Sequence, residues 1–135
     1  MCVHAQLVNH GVSSSLLQKL KSDLGEFYKF PSEERMKYKM RPGVVEGKPH
    51  LLPELPPALR DSLECYIAEL QKLAKMLLGF MAKALKLEKG EMEELFDDGM
   101  QSVRMSYYPP CPQPELVMGL TSHSDASGIS ILLQS

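Results

Sequence analysis

The stretch that decides the fold is residues 101–135, which read QSVRMSYYPPCPQPELVMGLTSHSDASGISILLQS. Apolar and polar side chains alternate over residues 101–107, and this is the period of a half-buried strand. After a proline-rich interruption, residues 116–120 and 128–133 predict two further strands. The turn between these two carries His123-Ser124-Asp125. The segment is therefore expected to form part of a β-sheet.

His123 and Asp125 are a candidate metal-binding pair. Side chains at i and i+2 of an extended segment share one face, with anchor points about 6.6 Å apart. An imidazole nitrogen and a carboxylate oxygen can then converge on one ion. A neutral imidazole with a carboxylate suits ferrous iron when a second His completes one triangular face. The alternative is an ordinary turn, in which the Asp125 side chain accepts a hydrogen bond from a loop N–H.

The middle of the chain predicts one long amphipathic helix. Apolar residues recur at i, i+3, i+4 and i+7 spacing from Leu59 to Leu85, which corresponds to about seven turns. Pro57 suits a position in its first turn. A second, shorter helix is predicted at about 89–96. Upstream of the long helix, residues 41–57 are punctuated by proline and glycine and predict a linker.

The amino-terminal part predicts a strand followed by helices. Residues 3–8 are apolar and predict a short strand that ends at the turn signal of residues 9–11. One of the serines 13–15 can cap the next helix by accepting a free backbone N–H. Apolar residues then recur at helical spacing from Leu16 to Tyr28, and Pro31 is predicted to stop that helix. Residues 31–34, Pro-Ser-Glu-Glu, predict the start of another short turn with acids near a helix N-terminus.

Size and composition exclude several classes of protein. The chain has 135 residues, 44% apolar and 24% charged residues, and a net charge of −2, which is typical of one globular domain. Its charges build no basic patch for nucleic acid, and no run approaches the ~20 apolar residues of a membrane span. The start lacks a signal-peptide layout. Three dispersed cysteines indicate free thiols, so a cytoplasmic location is expected.

The segment from Arg104 to Gln134 closely resembles the iron-binding half of plant 2-oxoglutarate/Fe(II)-dependent dioxygenases. The resemblance is specific because the Tyr-Tyr-Pro-Pro-Cys-Pro, Gln-Pro-Glu and His-Ser-Asp motifs occur together at the family's spacing. Residues 6–12 (QLVNHGV), 33–38 (EERMKY) and 48–57 (KPHLLPELPP) resemble the family's amino-terminal half. The resemblance is strongest to the subgroup of specialised-metabolism and senescence-related enzymes, which includes alkaloid O-demethylases.

This resemblance implies an α+β fold. A helical N-terminal support region is expected to carry the first strands of a double-stranded β-helix, or jelly roll, which is incomplete. The resemblance also divides the chain into three predicted segments. They are an N-terminal dioxygenase segment of strand plus helices (1–47), a linker with the long amphipathic helix (48–100) and a partial Fe(II)/2-oxoglutarate jelly-roll core (101–135).

The resemblance also assigns residues to roles. His123 and Asp125 match the first two iron ligands. Tyr108 matches the phenol that donates to a 2-oxoglutarate carboxylate. Ser106 stands where many relatives have Asn, so its 2-oxoglutarate contact offers one donor where the amide offers two. The implied cofactors are Fe(II) and the cosubstrate 2-oxoglutarate, with ascorbate as reductant. The implied substrate is a small, aromatic molecule of specialised metabolism.

Departures from the family pattern predict an incomplete active site. The second His ligand would lie beyond Ser135. So would the Arg-x-Ser pair, whose guanidinium holds the far carboxylate of 2-oxoglutarate in two parallel hydrogen bonds. Relatives also carry a strand-bearing segment between the positions of Gly47 and Lys48. We therefore expect a shortened product that is inactive as given.

The alternative function is a non-catalytic product that acts as an interaction or competing fragment. If the sheet that covers the long helix is missing, the leucine stripe of that helix is exposed and favours self-association. The remaining histidines have no carboxylate at ligand spacing and are expected to be structural or exposed; they are His4, His10 and His50.

Overall fold

Helices form the regular structure in the part of the chain that is described. The computed structural model describes residues 5–38, 55–88, 90–94, 101–125 and 128–134. The chain divides into two compact units, Met1–Gln101 and Ser102–Ser135. The helices are α1 (Ser14–Tyr28), α2 (Ser32–Arg35), α3 (Pro57–Leu85) and α4 (Glu91–Glu94), with 3-10 turns at Met36–Tyr38 and Pro114–Leu116.

Helix α3 confirms the long helix predicted from the sequence. Pro57 occupies its first turn, where the missing N–H costs nothing because that donor would be unpaired. The helix ends at Leu85, and its C-cap residue, Lys86, has a left-handed backbone with a φ of 56°. The next residue, Leu87, donates its N–H to the carbonyl of Ala82 over 3.0 Å, which satisfies one of the last carbonyls. None of the described helices combines the length and the apolarity needed to cross a membrane.

The core of the first unit lies between α1 and α3. Leu20 and Phe27 of α1 are buried, as are Leu59, Leu63 and Tyr66 of α3. The three leucines are about 2% exposed, and full burial of one such side chain contributes about 1.5–3 kcal/mol. Leu59, Leu63 and Tyr66 all belong to the predicted apolar stripe. The sequence pattern therefore identifies the face of α3 that packs against α1.

A cluster of polar side chains links α1 to α3. Lys19 Nζ donates to Asp23 Oδ2 over 2.8 Å and to Ser62 Oγ over 2.6 Å. The Ser62 hydroxyl, in a residue only 2% exposed, donates to the same Asp23 oxygen. The hydrogen bonds from Lys19 and then Ser62 lower the pKa of Asp23, and burial opposes them. These three residues, the α1–α3 polar cluster, join two helices that are distant in sequence.

An aromatic cluster holds the segment after α1. The Phe27 ring lies 5.7 Å from Tyr28, 5.9 Å from Phe30 and 5.7 Å from Tyr38 between centroids. Arg35 places its guanidinium 5.4 Å from the centroid of the Tyr28 ring, and its Nε donates to the Phe30 carbonyl over 3.1 Å. Burial raises the pKa of Tyr28, partly opposed by the Arg35 charge. The short turns after α1 are thus fixed by ring packing.

Helix α1 begins where it was predicted, but without the expected side-chain cap. Ser13 is the N-cap residue, and its side chain makes no capping hydrogen bond. Its hydroxyl instead pairs with the Ser15 hydroxyl over 2.7 Å. Helix α2 carries Glu33 and Glu34 in its first turn, as the sequence predicted. Acids there complement the positive end of the helix dipole.

The predicted strands are not observed among the described residues. Residues 5–8, 101–107 and 128–133 are non-helical, yet none forms a strand in the part of the chain that the structure covers. Leu116, placed in a predicted strand, ends a 3-10 turn instead. Alternation predicts which side chains share a face, whereas a strand also needs backbone hydrogen bonds to a neighbour. The incomplete jelly roll expected for residues 101–135 is therefore not confirmed.

Some predictions fall partly or wholly outside the described residues. These include most of the 41–57 linker, two of the four histidines (His4 and His50), and the end of the helix predicted at 89–96. The described part of that last helix is α4, Glu91–Glu94. Its first residue, Glu91, lies within two residues of the predicted start.

Candidate metal centre

The candidate ligands lie on an irregular segment of the second unit. Residues 102–125 and 128–134 contain one 3-10 turn, at Pro114–Leu116, and are otherwise irregular in the described positions. The prolines of this segment lack a backbone N–H, so they cannot donate hydrogen bonds to a neighbouring strand. Within the segment, the side chains of His123 and Asp125 are 48% and 56% exposed. Both are therefore accessible to an ion from solvent.

The structure brings His123 and Asp125 together. His123 Nε2 lies 3.3 Å from Asp125 Oδ1. With metal–ligand bonds of about 2.1 Å, two atoms at this separation subtend an angle of about 100° at a shared ion. That angle lies between the right angle of adjacent ligands in an octahedral site and the tetrahedral angle. The pair therefore fits two neighbouring positions on one metal ion.

Two further groups hold this pair, and the sequence analysis missed both. His123 Nδ1 lies 2.9 Å from the Thr121 carbonyl oxygen. Ser130 Oγ donates to Asp125 Oδ2 over 2.8 Å. Ser130 is five residues from Asp125, a separation that no helix or strand period marks as adjacent. The carbonyl of Thr121 is a backbone group, so its residue type carries no signal.

Tyr108 and Ser106 lie in the same unit as the pair, on its surface. The Tyr108 side chain is 62% exposed, and Ser106 is also exposed. The described hydrogen bonds of His123 and Asp125 go to Thr121 and Ser130, not to these two residues. The structure thus brings the two predicted metal ligands together, and no described hydrogen bond links them to the two predicted cosubstrate contacts.

No larger ligand set surrounds the pair in the described residues. Among these residues, no three or more His, Cys, Asp or Glu side chains are grouped so that they could hold a metal ion. His10 is engaged elsewhere, because its Nδ1 accepts the Val12 N–H over 3.2 Å. Its predicted structural role is confirmed. The candidate centre in the described part of the chain therefore consists of one imidazole and one carboxylate.

Two family models match this chain over most of its length. Residues 4–73 match the non-haem dioxygenase in morphine synthesis N-terminal model. Residues 99–135 match the 2OG-Fe(II) oxygenase superfamily model. The second match includes both candidate ligands and both candidate cosubstrate contacts.

Curated relatives match nearly the whole chain. The chain is 44% identical to protein SRG1 of Arabidopsis thaliana over 160 residues, covering 96% of this chain and 45% of the relative. The chain is 41% identical to oxoglutarate-dependent flavonoid 7-O-demethylase 1 of Ocimum basilicum, and the match covers 96% of this chain and 42% of the relative. It is 42% identical to codeine O-demethylase of Papaver somniferum, and this match covers 96% of this chain and 44% of the relative. The chain thus spans less than half the length of these relatives.

The matched regions differ in length. The match to protein SRG1 runs over 160 residues, whereas this chain has 135. The match is 25 residues longer than this chain. Within the matched region, at least that many residues of the relative therefore have no counterpart in this chain. This difference supports the prediction that relatives contain an internal segment that this chain lacks.

Proposed function

This chain belongs to the plant 2-oxoglutarate- and Fe(II)-dependent dioxygenases, and from that premise we propose that it serves a 2-oxoglutarate-dependent oxidation of a small molecule. The family comprises oxidoreductases that use Fe(II) and 2-oxoglutarate. Two relatives are named for demethylation of a flavonoid and of codeine. Their names support a small aromatic substrate of specialised metabolism.

The observation that carries this proposal is the 3.3 Å separation of His123 Nε2 and Asp125 Oδ1. These two side chains would hold the iron, through a nitrogen of His123 and an oxygen of Asp125. When bound, Fe(II) supplies the chemistry by which dioxygen oxidises the substrate as 2-oxoglutarate loses carbon dioxide to become succinate. The two residues themselves would bind the ion and fix its position.

The cosubstrate contacts are proposed for Tyr108 and Ser106. Both side chains are exposed, so a carboxylate can reach their hydroxyls from solvent. Because Pro109 and Pro110 follow it, Tyr108 is restricted to extended backbone conformations, as is Pro109. The Tyr108 hydroxyl would donate to a carboxylate oxygen of 2-oxoglutarate, and the Ser106 hydroxyl would add a weaker second donor.

Residues 1–135 are proposed to be insufficient for rapid turnover by themselves. Two converging ligands leave more positions for water than the three of a facial triad. No cationic side chain is assigned to the far carboxylate of 2-oxoglutarate. The jelly roll of the family would also give residues 101–107 and 128–133 the strand partners that they lack among the described residues. Additional sheet segments would then complete both the fold and the ligand set.

The test compares this chain with a chimera. Residues 1–135 are joined to the carboxy-terminal part of codeine O-demethylase that the present chain does not match, and succinate formation from 2-oxoglutarate is measured with Fe(II) and ascorbate. The expected result is little succinate from residues 1–135, more from the chimera, and loss of that gain with His123→Ala or Asp125→Ala. Turnover that survives both substitutions would contradict the proposed site.

A non-catalytic interaction fragment is the second candidate. The observation that favours it is the exposure of Phe80, Met81 and Leu85 near the end of α3. Large exposed apolar groups on one helix favour association with another surface. Under this proposal the helical unit self-associates whether or not metal is bound. Light scattering with and without Fe(II) distinguishes the two functions.

A further inference from the structure

The hydrogen bonds around the candidate ligands set which atoms face the proposed ion. A carbonyl oxygen can only accept, so the 2.9 Å contact from His123 Nδ1 to the Thr121 carbonyl requires the proton on Nδ1. In the neutral ring, Nε2 then carries a lone pair. This lone pair lies on the atom 3.3 Å from Asp125 Oδ1. The space between two such acceptors favours a cation.

The carboxylate of Asp125 is held in a complementary way. Its Oδ2 accepts the Ser130 hydroxyl over 2.8 Å, and its Oδ1 is the oxygen nearest His123. One carboxylate oxygen is therefore occupied by a protein donor while the other faces the imidazole. A carboxylate held in this way is oriented to offer Oδ1 to an ion on the side of His123.

We propose that Ser130 is a positioning residue that makes Asp125 a one-oxygen metal ligand through Oδ1. The inference rests on the proposed function, because it takes His123 and Asp125 as the metal ligands. Without the hydroxyl, Asp125 can rotate and offer either oxygen, or turn away from His123. The carbonyl of Thr121 does the equivalent work for His123, whose ring it keeps in the Nδ1–H form. Such outer partners typically change metal affinity by about 10–100-fold when removed.

The experiment titrates Co²⁺ into the 135-residue chain near neutral pH and follows paramagnetic broadening of amide resonances. Ser130→Ala is expected to weaken Co²⁺ binding by about tenfold or more. Ser130→Thr keeps the hydroxyl and is expected to bind nearly as well as the original chain. Ser124→Ala is the matched control, because it removes an exposed hydroxyl between the two ligands and should leave affinity unchanged. His123→Ala should abolish the broadening.

A second measurement needs no metal. Imidazole ¹⁵N chemical shifts of the metal-free chain are expected to show the Nδ1–H form of His123. The Nε2–H form would overturn the proposed preorganisation. So would equal affinities of the original chain and Ser130→Ala, or an equal loss in Ser130→Thr and Ser130→Ala.

The same titration distinguishes failure of the proposed metal site from failure of the proposed role of Ser130. If Co²⁺ binding is absent, or survives both His123→Ala and Asp125→Ala, the proposed metal site fails and the role of Ser130 fails with it. If His123→Ala abolishes binding while Ser130→Ala leaves it within about twofold, well short of the usual effect of an outer partner, only the role of Ser130 is overturned. The metal site then stands.

Discussion

Removal of the Ser62 hydroxyl tests the α1–α3 polar cluster most directly. In Ser62→Ala, Asp23 loses a buried donor and Lys19 loses an acceptor. Both partners keep their own ion pair at 2.8 Å, so the substitution removes the link between helices and leaves the contact within α1. The expected result is a lower free energy of unfolding for the first unit, Met1–Gln101.

The magnitude follows from two opposing contributions. A hydrogen bond to a charged group is worth about 1.5–3 kcal/mol. Alanine is a better helix former than serine by about 0.5 kcal/mol, and this gain partly offsets the loss. The net destabilisation expected for Ser62→Ala is therefore about 1–2.5 kcal/mol. Ser22→Ala is the control, since Ser22 is exposed on α1 and its substitution brings only the small propensity gain.

The assay is urea unfolding of the 135-residue chain, followed by helical circular dichroism. A double-mutant cycle with Asp23→Asn separates the pair interaction from the individual substitutions. A positive coupling is expected between residues 62 and 23, and none between residues 22 and 62. If Ser62→Ala is as stable as Ser22→Ala, the cluster contributes nothing to the packing of α1 on α3, and the reasoning fails.

Three further outcomes are expected. The hydrogen bonds from Lys19 and Ser62 lower the pKa of Asp23 in the folded chain. The ionised carboxylate therefore stabilises the fold fully above its unfolded-state pKa, near pH 4. This stabilisation is lost as the pH falls through the lower pKa of the folded state. Asp23→Asn should therefore flatten acid unfolding curves below about pH 4; curves of unchanged shape would contradict this. Leu63→Ala should cost about 2–5 kcal/mol in urea unfolding, whereas Leu85→Ala, on an exposed part of α3, should change stability by less than about 0.5 kcal/mol. Leu85→Lys should reduce the scattering mass if the exposed end of α3 mediates self-association, and a monodisperse monomer of the original chain would exclude that role.

The helical part could be predicted because its information is local. The spacing of Leu59, Leu63 and Tyr66 identifies one face of a helix, and Pro57 marks its first turn. The polar cluster could be predicted only in part. The i,i+4 spacing of Lys19 and Asp23 is visible in the sequence, and Ser62 is a polar residue within an apolar stripe. Nothing local indicates that these positions meet, since 39 residues separate Asp23 from Ser62.

The strand predictions show the opposite case. Alternation over residues 101–107 is a property of the segment itself, whereas ladder hydrogen bonds depend on a second segment. The same distinction explains the site. His123 and Asp125 could be proposed as a pair because an i,i+2 relation brings them together locally. The hydroxyl of Ser130 could not be placed without coordinates, because its approach to Asp125 depends on the path of the intervening chain.

The two units differ in what fixes their side chains, and this bears on the proposed iron site. The first unit has a buried core, with Leu20, Leu59 and Leu63 nearly inaccessible. No described side chain of residues 102–134 is buried. The positions of His123 and Asp125 therefore depend on two hydrogen bonds rather than on packing. An ion shared by the pair would add bonds where packing adds none, so metal binding and ordering of this segment should be coupled. Iron would then stabilise the conformation that binds it.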